Sequence, residues 1–172
     1  MKRNAFSQGF SLIEILIVMS SIIVLSGIGF ATLATTQRRQ AVEQSQLDIK
    51  IAIERTKYNA VSRVKRPGCP TAPLTHMDIN FCSIGGGCLD NTNDYEIFSI
   101  CGSETNVFEE KKLRDNLNLA PAPSSTCRIL RFSVGSSSLQ NMSGSLPCNI
   151  ILQKYGITRT LVVDSSGNVR LN

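Results

Sequence analysis

Tryptophan is absent from this chain of 172 residues, and histidine occurs only once, at His76. A Ser/His/Asp or Cys/His catalytic site would have to use that one imidazole, and no recognisable nucleophile lies near it in the sequence. The acidic pair Glu109-Glu110 is followed by Lys111-Lys112, an arrangement typical of a solvated helix surface rather than an acid/base site. We therefore expect no catalytic residue, no cofactor and no enzymatic activity.

A CxxC pair is also missing, and this absence, together with the single histidine, disfavours a zinc site, which remains the alternative use of the cysteines. All the cysteines follow the apolar segment, and their even number indicates disulfides in an oxidising compartment, the periplasm or the cell surface. Sequence spacing does not determine the pairing. We predict bonds between neighbours in sequence: Cys69 with Cys82, Cys88 with Cys101, and Cys127 with Cys148.

Between Phe10 and Leu33 the sequence contains no charged residue other than Glu14. A run of this length can span a bilayer as a helix, and an unpaired carboxylate within it costs roughly 2.5–3.5 kcal/mol even on a lenient insertion scale. The basic residues Lys2 and Arg3 precede the run and indicate a cytoplasmic amino-terminal segment. An ordinary secretory signal peptide and a plain single-span anchor are competing interpretations, but neither accounts for Glu14.

A cut after Gly9 would provide Glu14 with a partner. The new amino terminus at Phe10 would lie one helical turn before Glu14 and on the same face of the helix. The segment Gly9-Phe10-Ser11-Leu12-Ile13-Glu14, with its basic upstream residues, closely resembles the class III prepilin signal of type IV pilins and of the pseudopilins of type II secretion.

This resemblance implies three events at the amino terminus. A membrane-embedded prepilin peptidase would cleave between Gly9 and Phe10, and the new Phe10 amine would be methylated. Glu14 would then pair with the amino terminus of a neighbouring subunit during filament assembly. The resemblance also implies a leader over residues 1–9 and a transmembrane or assembly helix over residues 10–34.

Residues 35–66 contain neither proline nor glycine and predict that the helix continues into a soluble, amphipathic half that ends before Pro67-Gly68. Its apolar residues recur at helical spacings and predict a stripe that packs on a sheet. The stripe consists of Leu47, Ile51, Tyr58 and Val61, with Ile53, Ala60 and Val64 beside them.

The remainder, residues 67–172, is predicted to be a β-rich globular region with disulfide-stapled loops. Residues 68–93 and 135–145 are rich in turn-forming residues and are expected to be loops. Alternating runs predict strands, with the clearest β region at the end of the chain. The predicted strands are Tyr95–Cys101, Cys127–Val134, Asn149–Tyr155, Ile157–Val163 and Asn168–Leu171. The expected fold is α+β: a long amino-terminal helix packed on an antiparallel sheet, which matches the pilin architecture.

The last strands also resemble one pilin branch, the GspH/FimT minor pilins and pseudopilins, which commonly end in a hairpin followed by a Gly-x-x-Arg-like segment. Members that take part in DNA uptake have a Gly-Arg-x-Arg motif at this place. Here Gly167 and Arg170 match that motif, but Asn168 replaces its first arginine. Cations supply most nucleic-acid affinity by neutralising phosphates, so the candidate DNA contacts are Lys154, Arg159 and Arg170. Solvated or filament-facing charge is the alternative interpretation of these cations.

Together the two resemblances predict a minor type IV pilin of the GspH/FimT type. It would be held in the bacterial inner membrane before assembly and lie in a periplasmic or cell-surface filament afterwards. The expected partners are prepilin peptidase, other pilin or pseudopilin subunits, the inner membrane and, as a hypothesis for natural transformation, double-stranded DNA. Two alternatives stay open: a minor pseudopilin of a type II secretion system, and a structural or priming pilus subunit without DNA binding.

Overall fold

A computed structural model describes residues 11–63, 72–82, 88–89, 94–113, 118–119, 125–136 and 138–172, with the backbone alone at 27–32 and 118. The chain divides into two units, residues 1–38 and 39–172. Helix α1, Leu12–Val61, contributes residues to both units. The strands all lie in the second unit: β1 Leu74–Phe81, β2 Tyr95–Cys101, β3 Glu104–Lys111, β4 Asn118–Leu119, β5 Ile129–Ser133, β6 Leu139–Asn141, β7 Cys148–Lys154, β8 Ile157–Val163 and β9 Val169–Leu171.

The strands form two antiparallel sheets rather than the single predicted sheet. The first has five strands in the order β3-β2-β1-β5-β6, and the second has four in the order β4-β7-β8-β9. Each neighbouring pair within them is antiparallel. The prediction of an α+β chain with antiparallel strands and disulfide bonds is therefore confirmed.

Strand prediction was accurate for long runs of strand-forming residues and failed where turn-forming residues surround a strand. The predicted strands Tyr95–Cys101 and Ile157–Val163 have the bounds of β2 and β8, and the other three predicted strands overlap β5, β7 and β9. The prediction of loops over residues 68–93 and 135–145 was wrong at β1 and β6. The expected helix surface at Glu109-Glu110-Lys111-Lys112 was also wrong, because β3 extends through Lys111. Pairing with β2 overrides the helical character of that short charged segment.

The predicted end of the helix at residue 66 was also wrong. Helix α1 ends at Val61, and Arg63 takes a left-handed conformation with φ of 52°. The N–H of Gly135, after β5, donates to the carbonyl oxygen of Ala60 at 3.1 Å. A left-handed residue and an outside donor at the last carbonyls are common helix terminators. The first turn of the β5–β6 connection therefore helps to end the helix.

The side of α1 that packs on the sheets differs from the predicted stripe. Leu47, Ile51, Tyr58 and Val61 are 46%, 56%, 68% and 42% exposed, so the prediction that they face the sheet was wrong. The buried face lies next to them around the helix and includes polar residues, which is why an apolar pattern pointed to the wrong side. The flanking residues Ile53 and Ala60 are buried as predicted, and Val64 lies outside the described residues. The buried face consists of Ala41, Val42, Ser45, Gln46, Ile49, Ala52, Ile53, Thr56, Asn59 and Ala60.

One hydrophobic core joins this helix face to both sheets. Met77, Ile79 and Phe81 from β1 belong to the same cluster as Ile49 and Ile53 of α1. The four-stranded sheet contributes a second set of buried side chains to it: Ile150, Leu152, Leu161, Val163 and Val169. Gln46 Nε2 also donates to the Thr160 carbonyl oxygen at 3.2 Å, tying the helix to β8.

Two disulfides are seen between described residues. Cys127 pairs with Cys148, as predicted. Cys82 pairs with Cys88, so the predicted bonds Cys69–Cys82 and Cys88–Cys101 were both wrong. Cys101 is also disulfide-bonded, and Cys69 lies outside the described residues. The error has a physical origin: Cys82 directly follows β1, which ends at Phe81, and Cys88 lies next to it in space, a proximity that spacing alone does not reveal.

Candidate functional site

The amino-terminal end of α1 places Glu14 in its first turn. The Ser11 carbonyl oxygen accepts hydrogen bonds from the N–H groups of Glu14, at 3.0 Å, and of Ile15, at 3.3 Å, so Ser11 lies at the helix start. A carboxylate in the first turn interacts favourably with the positive end of the helix dipole. Sequence reasoning missed this role, although the Ser-x-x-Glu spacing of a capping box signals it. Gly9 and Phe10, the predicted cleavage and methylation residues, lie outside the described residues.

The segment around and after Glu14, residues 12–26, presents apolar side chains in every direction. All side chains of residues 12–26 are exposed. Eleven large apolar ones are each more than half exposed: Leu12, Ile13, Ile15, Leu16, Ile17, Val18, Met19, Ile22, Ile23, Val24 and Leu25. A helix that is apolar all round is typical of surroundings that are themselves apolar, either lipid or other helices.

Two polar side chains within this segment are satisfied by the helix itself. The hydroxyls of Ser20 and Ser21 both donate to the Ile17 carbonyl oxygen, at 2.8 and 2.9 Å. Such back-bonding removes the need for a water or protein partner outside the helix.

The described part of the chain includes no helix that is both long and apolar enough to cross a membrane.

Arg159, one of the three predicted DNA contacts, is paired within the domain. It shares the face of β8 with the buried Leu161 and Val163, which is the face toward α1. Its Nη2 lies 3.3 Å from Oε1 of Glu43 on the helix. An exposed ion pair of this kind contributes little to stability. It does neutralise the positive charge of Arg159 that would otherwise attract a phosphate of DNA.

Lys154 and Arg170 lie on opposite sides of the four-stranded sheet. Lys154 shares its face of β7 with the buried Leu152, and its Nζ lies 5.1 Å from the centroid of the Tyr155 ring. Arg170 is exposed, pairs in register with Val162, and projects opposite the buried Val169. The structure therefore does not gather Lys154, Arg159 and Arg170 on one face.

Gly167, the glycine of the carboxy-terminal motif, has a structural role in the turn before β9. It is buried with φ of 75°, and a Cβ there would lie 3.0 Å from Cε1 of Phe132. Asp164 accepts bonds from the Ser166 hydroxyl and from the N–H groups of Ser166 and Asn168, and these bonds lower the pKa of its carboxyl to about 2. The turn thus needs its glycine and aspartate independently of any ligand.

The turn is also bonded to the helix. Lys57 Nζ donates to the Ser166 carbonyl oxygen at 2.7 Å and to Asn168 Oδ1 at 3.3 Å. Arg55, two residues earlier, forms an ion pair with Glu109 of β3. Part of the basic charge of α1 therefore connects the helix to the β region.

One group of potential metal ligands lies among the described residues: Cys82, Cys88 and Glu96. The two cysteines are joined as a disulfide, so neither sulfur is a thiolate ligand. The Glu96 carboxylate is buried and its Oε2 accepts a bond from the Leu89 N–H at 2.8 Å. His76 lies on β1, half-buried and in register with Ile100 and Ser133.

No protein-family model, curated protein or solved structure matches the chain.

Proposed function

We propose that this protein is a subunit of a pilin-type filament, a minor type IV pilin of the GspH/FimT type. The observation that carries the proposal is the apolar surface of residues 12–26 around a single carboxylate, Glu14. Eleven large, exposed apolar side chains need an apolar environment, and both a membrane and a bundle of identical helices supply one. The inner membrane before assembly and a filament core afterwards are the two environments proposed here.

Glu14 has a defined electrostatic task in this proposal. Cleavage after Gly9 would leave the Phe10 amine close to the amino-terminal end of α1, where the helix dipole disfavours a positive charge. A carboxylate in an apolar environment offsets that charge strongly, because the interaction is poorly screened there. Pairing of the Glu14 carboxylate with the Phe10 amine of an adjacent subunit would therefore set the axial position of each subunit.

The disulfides support an extracytoplasmic location for the β region. Cys82–Cys88 and Cys127–Cys148 form stably only in an oxidising compartment such as the periplasm. The basic residues before the apolar run favour a cytoplasmic start of the chain. This orientation places residues 39–172 on the outer side of the inner membrane.

Processing by prepilin peptidase provides the direct test of this function. We expect co-expression of the full chain with a prepilin peptidase to yield a product that starts at Phe10 and carries one added methyl group, as read by intact mass and amino-terminal fragmentation. Gly9→Val is the matched control, since a branched side chain at the cleaved bond should block the reaction. An unprocessed chain in the presence of an active peptidase would exclude the proposal.

The role of Glu14 is tested separately by Glu14→Gln, which keeps the shape of the side chain and removes its charge. We expect normal cleavage, an unchanged amount in the membrane fraction, and at least a tenfold loss from sheared filaments, which corresponds to about 1.4 kcal/mol. Normal incorporation of the variant would contradict the pairing role of Glu14 while leaving the cleavage result intact.

DNA uptake is the finer functional prediction, and the placement of its candidate cations favours a structural subunit. Arg159 is paired with Glu43, and Arg170 lies on the opposite side of the sheet from Lys154. We expect only weak, salt-sensitive binding of duplex DNA, unchanged by Arg159→Ala. Titration at several salt concentrations, with Arg170→Ala in parallel, measures this. Tight binding lost in both variants would instead support a DNA-uptake subunit.

A further inference from the structure

An open cleft of about 360 Å³ lies on the side of the five-stranded sheet that faces away from α1. Its floor consists of side chains from β1, β2 and β5, and registration across the strands places them on one face: Asp78 is opposite Phe98 and Arg131, and Asn80 is opposite Ile129. The volume is within the range of roughly 300–1,000 Å³ typical of small-molecule pockets.

An ion pair between the half-buried Arg131 and the buried Asp78 occupies one side of the floor. Arg131 Nε and Nη2 donate to the carboxylate oxygens of Asp78 at 2.7 to 3.2 Å, and Asp78 is buried. These bonds raise the pKa of the Arg131 guanidinium, so it stays charged throughout the working pH range. They do not use Nη1, which remains a potential donor.

Asn80 supplies an unused acceptor next to this donor. Its side chain is more than nine-tenths buried and lines the cleft, and its Oδ1 has no hydrogen-bond partner among the described residues. A buried oxygen without a partner is unfavourable, and such atoms in folded proteins call for an explanation. Asn80 and Arg131 are diagonal neighbours on adjacent strands, within reach of one small group. The oxygen itself is enclosed, and because the terminal torsion of asparagine is broad, rotation about that torsion is the movement that would turn it toward the cleft.

Apolar side chains form the walls. Leu89 is 77% exposed on one side and Met142 is 51% exposed on the other, while Phe98 and Ile129 belong to the floor. Exposed apolar residues on either side of a few polar groups are typical of ligand sites, in which the polar groups set the orientation of an apolar body.

We propose that this cleft binds the amide group of a peptide, with an apolar side chain of the peptide between Leu89 and Met142. An amide matches the floor because its N–H donates to Asn80 Oδ1 while its carbonyl oxygen accepts from Arg131 Nη1. A carboxylate would accept a hydrogen bond from Arg131 but present no donor to Asn80. A protonated amine would donate to Asn80 but present no acceptor to Arg131. This inference is independent of filament assembly, and its failure would leave that proposal untouched.

The test compares two small probes of similar shape. N-methylisovaleramide carries a secondary amide on an apolar body, and methyl isovalerate keeps the body, the carbonyl oxygen and the terminal methyl but has no N–H. The full chain, with its disulfides formed and held in phospholipid nanodiscs, is labelled at isoleucine and methionine methyls and titrated by NMR. We expect saturable shifts at Ile129, Ile100 and Met142 and none at the core residues Ile53 and Met77.

The expected preference for N-methylisovaleramide is roughly three- to tenfold in dissociation constant, the size of one hydrogen bond. Asn80→Leu removes the acceptor while keeping the shape and should abolish the preference. Ser45→Ala is the matched control: Ser45 Oγ is the other buried oxygen without a partner among the described residues, but it lies on the helix face away from the cleft.

The comparison on the unmutated chain decides the outcome even if Asn80→Leu folds poorly. Equal affinity for the two probes would identify an apolar cleft with no amide site, and the absence of saturable shifts would exclude a binding site. Retained preference in folded Asn80→Leu would overturn the role of Asn80.

Discussion

Tyr95 is fully buried in the core, where its ring centroid lies 6.4 Å from that of Phe81. Burial raises the pKa of the Tyr95 hydroxyl from 10.0 to about 12, and the nearby Asp48 carboxylate adds to the effect against an opposing contribution from Arg55. Because the folded protein holds this proton more tightly than the unfolded chain, stability is fully present below pH 10 and is lost as the pH rises toward 12.

From this shift we expect the free energy of unfolding to fall by about 2 to 3 kcal/mol across that interval through Tyr95 alone. Urea unfolding midpoints measured from pH 9 upward, for the native chain and for Tyr95→Phe, isolate this contribution. The variant should retain only the part of the pH dependence that arises from other groups. Parallel curves for the two proteins would show that Tyr95 ionises normally in the folded state.

At the scale of the element, α1 offers a matched pair of isoleucines two positions apart. Ile53 is fully buried, and Ile51 is 56% exposed on the stripe that the sequence pattern had favoured. Ile53→Ala should destabilise the domain by about 2 to 5 kcal/mol through lost burial and a residual cavity. Ile51→Ala should change stability by about 0.5 kcal/mol or less.

Urea unfolding of the two variants under identical conditions measures this difference directly. Helix propensity changes by the same amount in both, so only the packing differs. If Ile51→Ala were the more damaging substitution, the face of α1 that includes Ile51, and not the face that includes Ile53, would be the one that contacts the sheets.

At the scale of the whole molecule, the two described disulfides constrain loops of different length. Cys127 and Cys148 are 21 residues apart and join the segment before β5 to β7 of the other sheet, whereas Cys82 and Cys88 are 6 apart. The chain-entropy model gives about 3 kcal/mol for the longer loop and about 2 kcal/mol for the shorter one.

Double replacement by alanine at each pair, followed by urea unfolding, tests this order. We expect loss of Cys127–Cys148 to be the more destabilising, because it also removes two fully buried side chains from the core. The reverse order would mean that the short loop stabilises the face of the five-stranded sheet that points away from α1.

The strands differed in how well the sequence predicted them, and the difference has a physical reason. Strands β2 and β8 were predicted with their correct bounds, because a run of mostly apolar, β-branched or aromatic residues that ends at turn-forming residues is a local property. In β1, Met77, Ile79 and Phe81 alternate regularly with Asp78 and Asn80, but the surrounding glycines, prolines and cysteines led to a loop prediction. Strand β3 is an edge strand with mostly exposed side chains, so its sequence carries little burial signal.

The candidate sites followed the same division. Glu14 was identified from the sequence because a lone carboxylate in an apolar run is energetically unfavourable and therefore indicates a function. The cleft around Asn80 was not identified, because its polar groups come from strands far apart in the chain, and only sheet registration brings Asp78 and Arg131, 53 residues apart, together. The ion pair of Arg159 with Glu43 was missed for the same reason.

The sequence by itself determined the properties that depend on neighbouring residues: the apolar run with its single carboxylate, the α+β composition and several strand bounds. Only the tertiary structure decided the division into two sheets, the face of α1 that is buried, the Cys82–Cys88 bond and the separation of Arg170 from Lys154. These depend on contacts between residues far apart in the chain, whose free energy is absent from any local pattern. A buried Ser45 and an exposed Ile51 on one helix are the outcome of that difference.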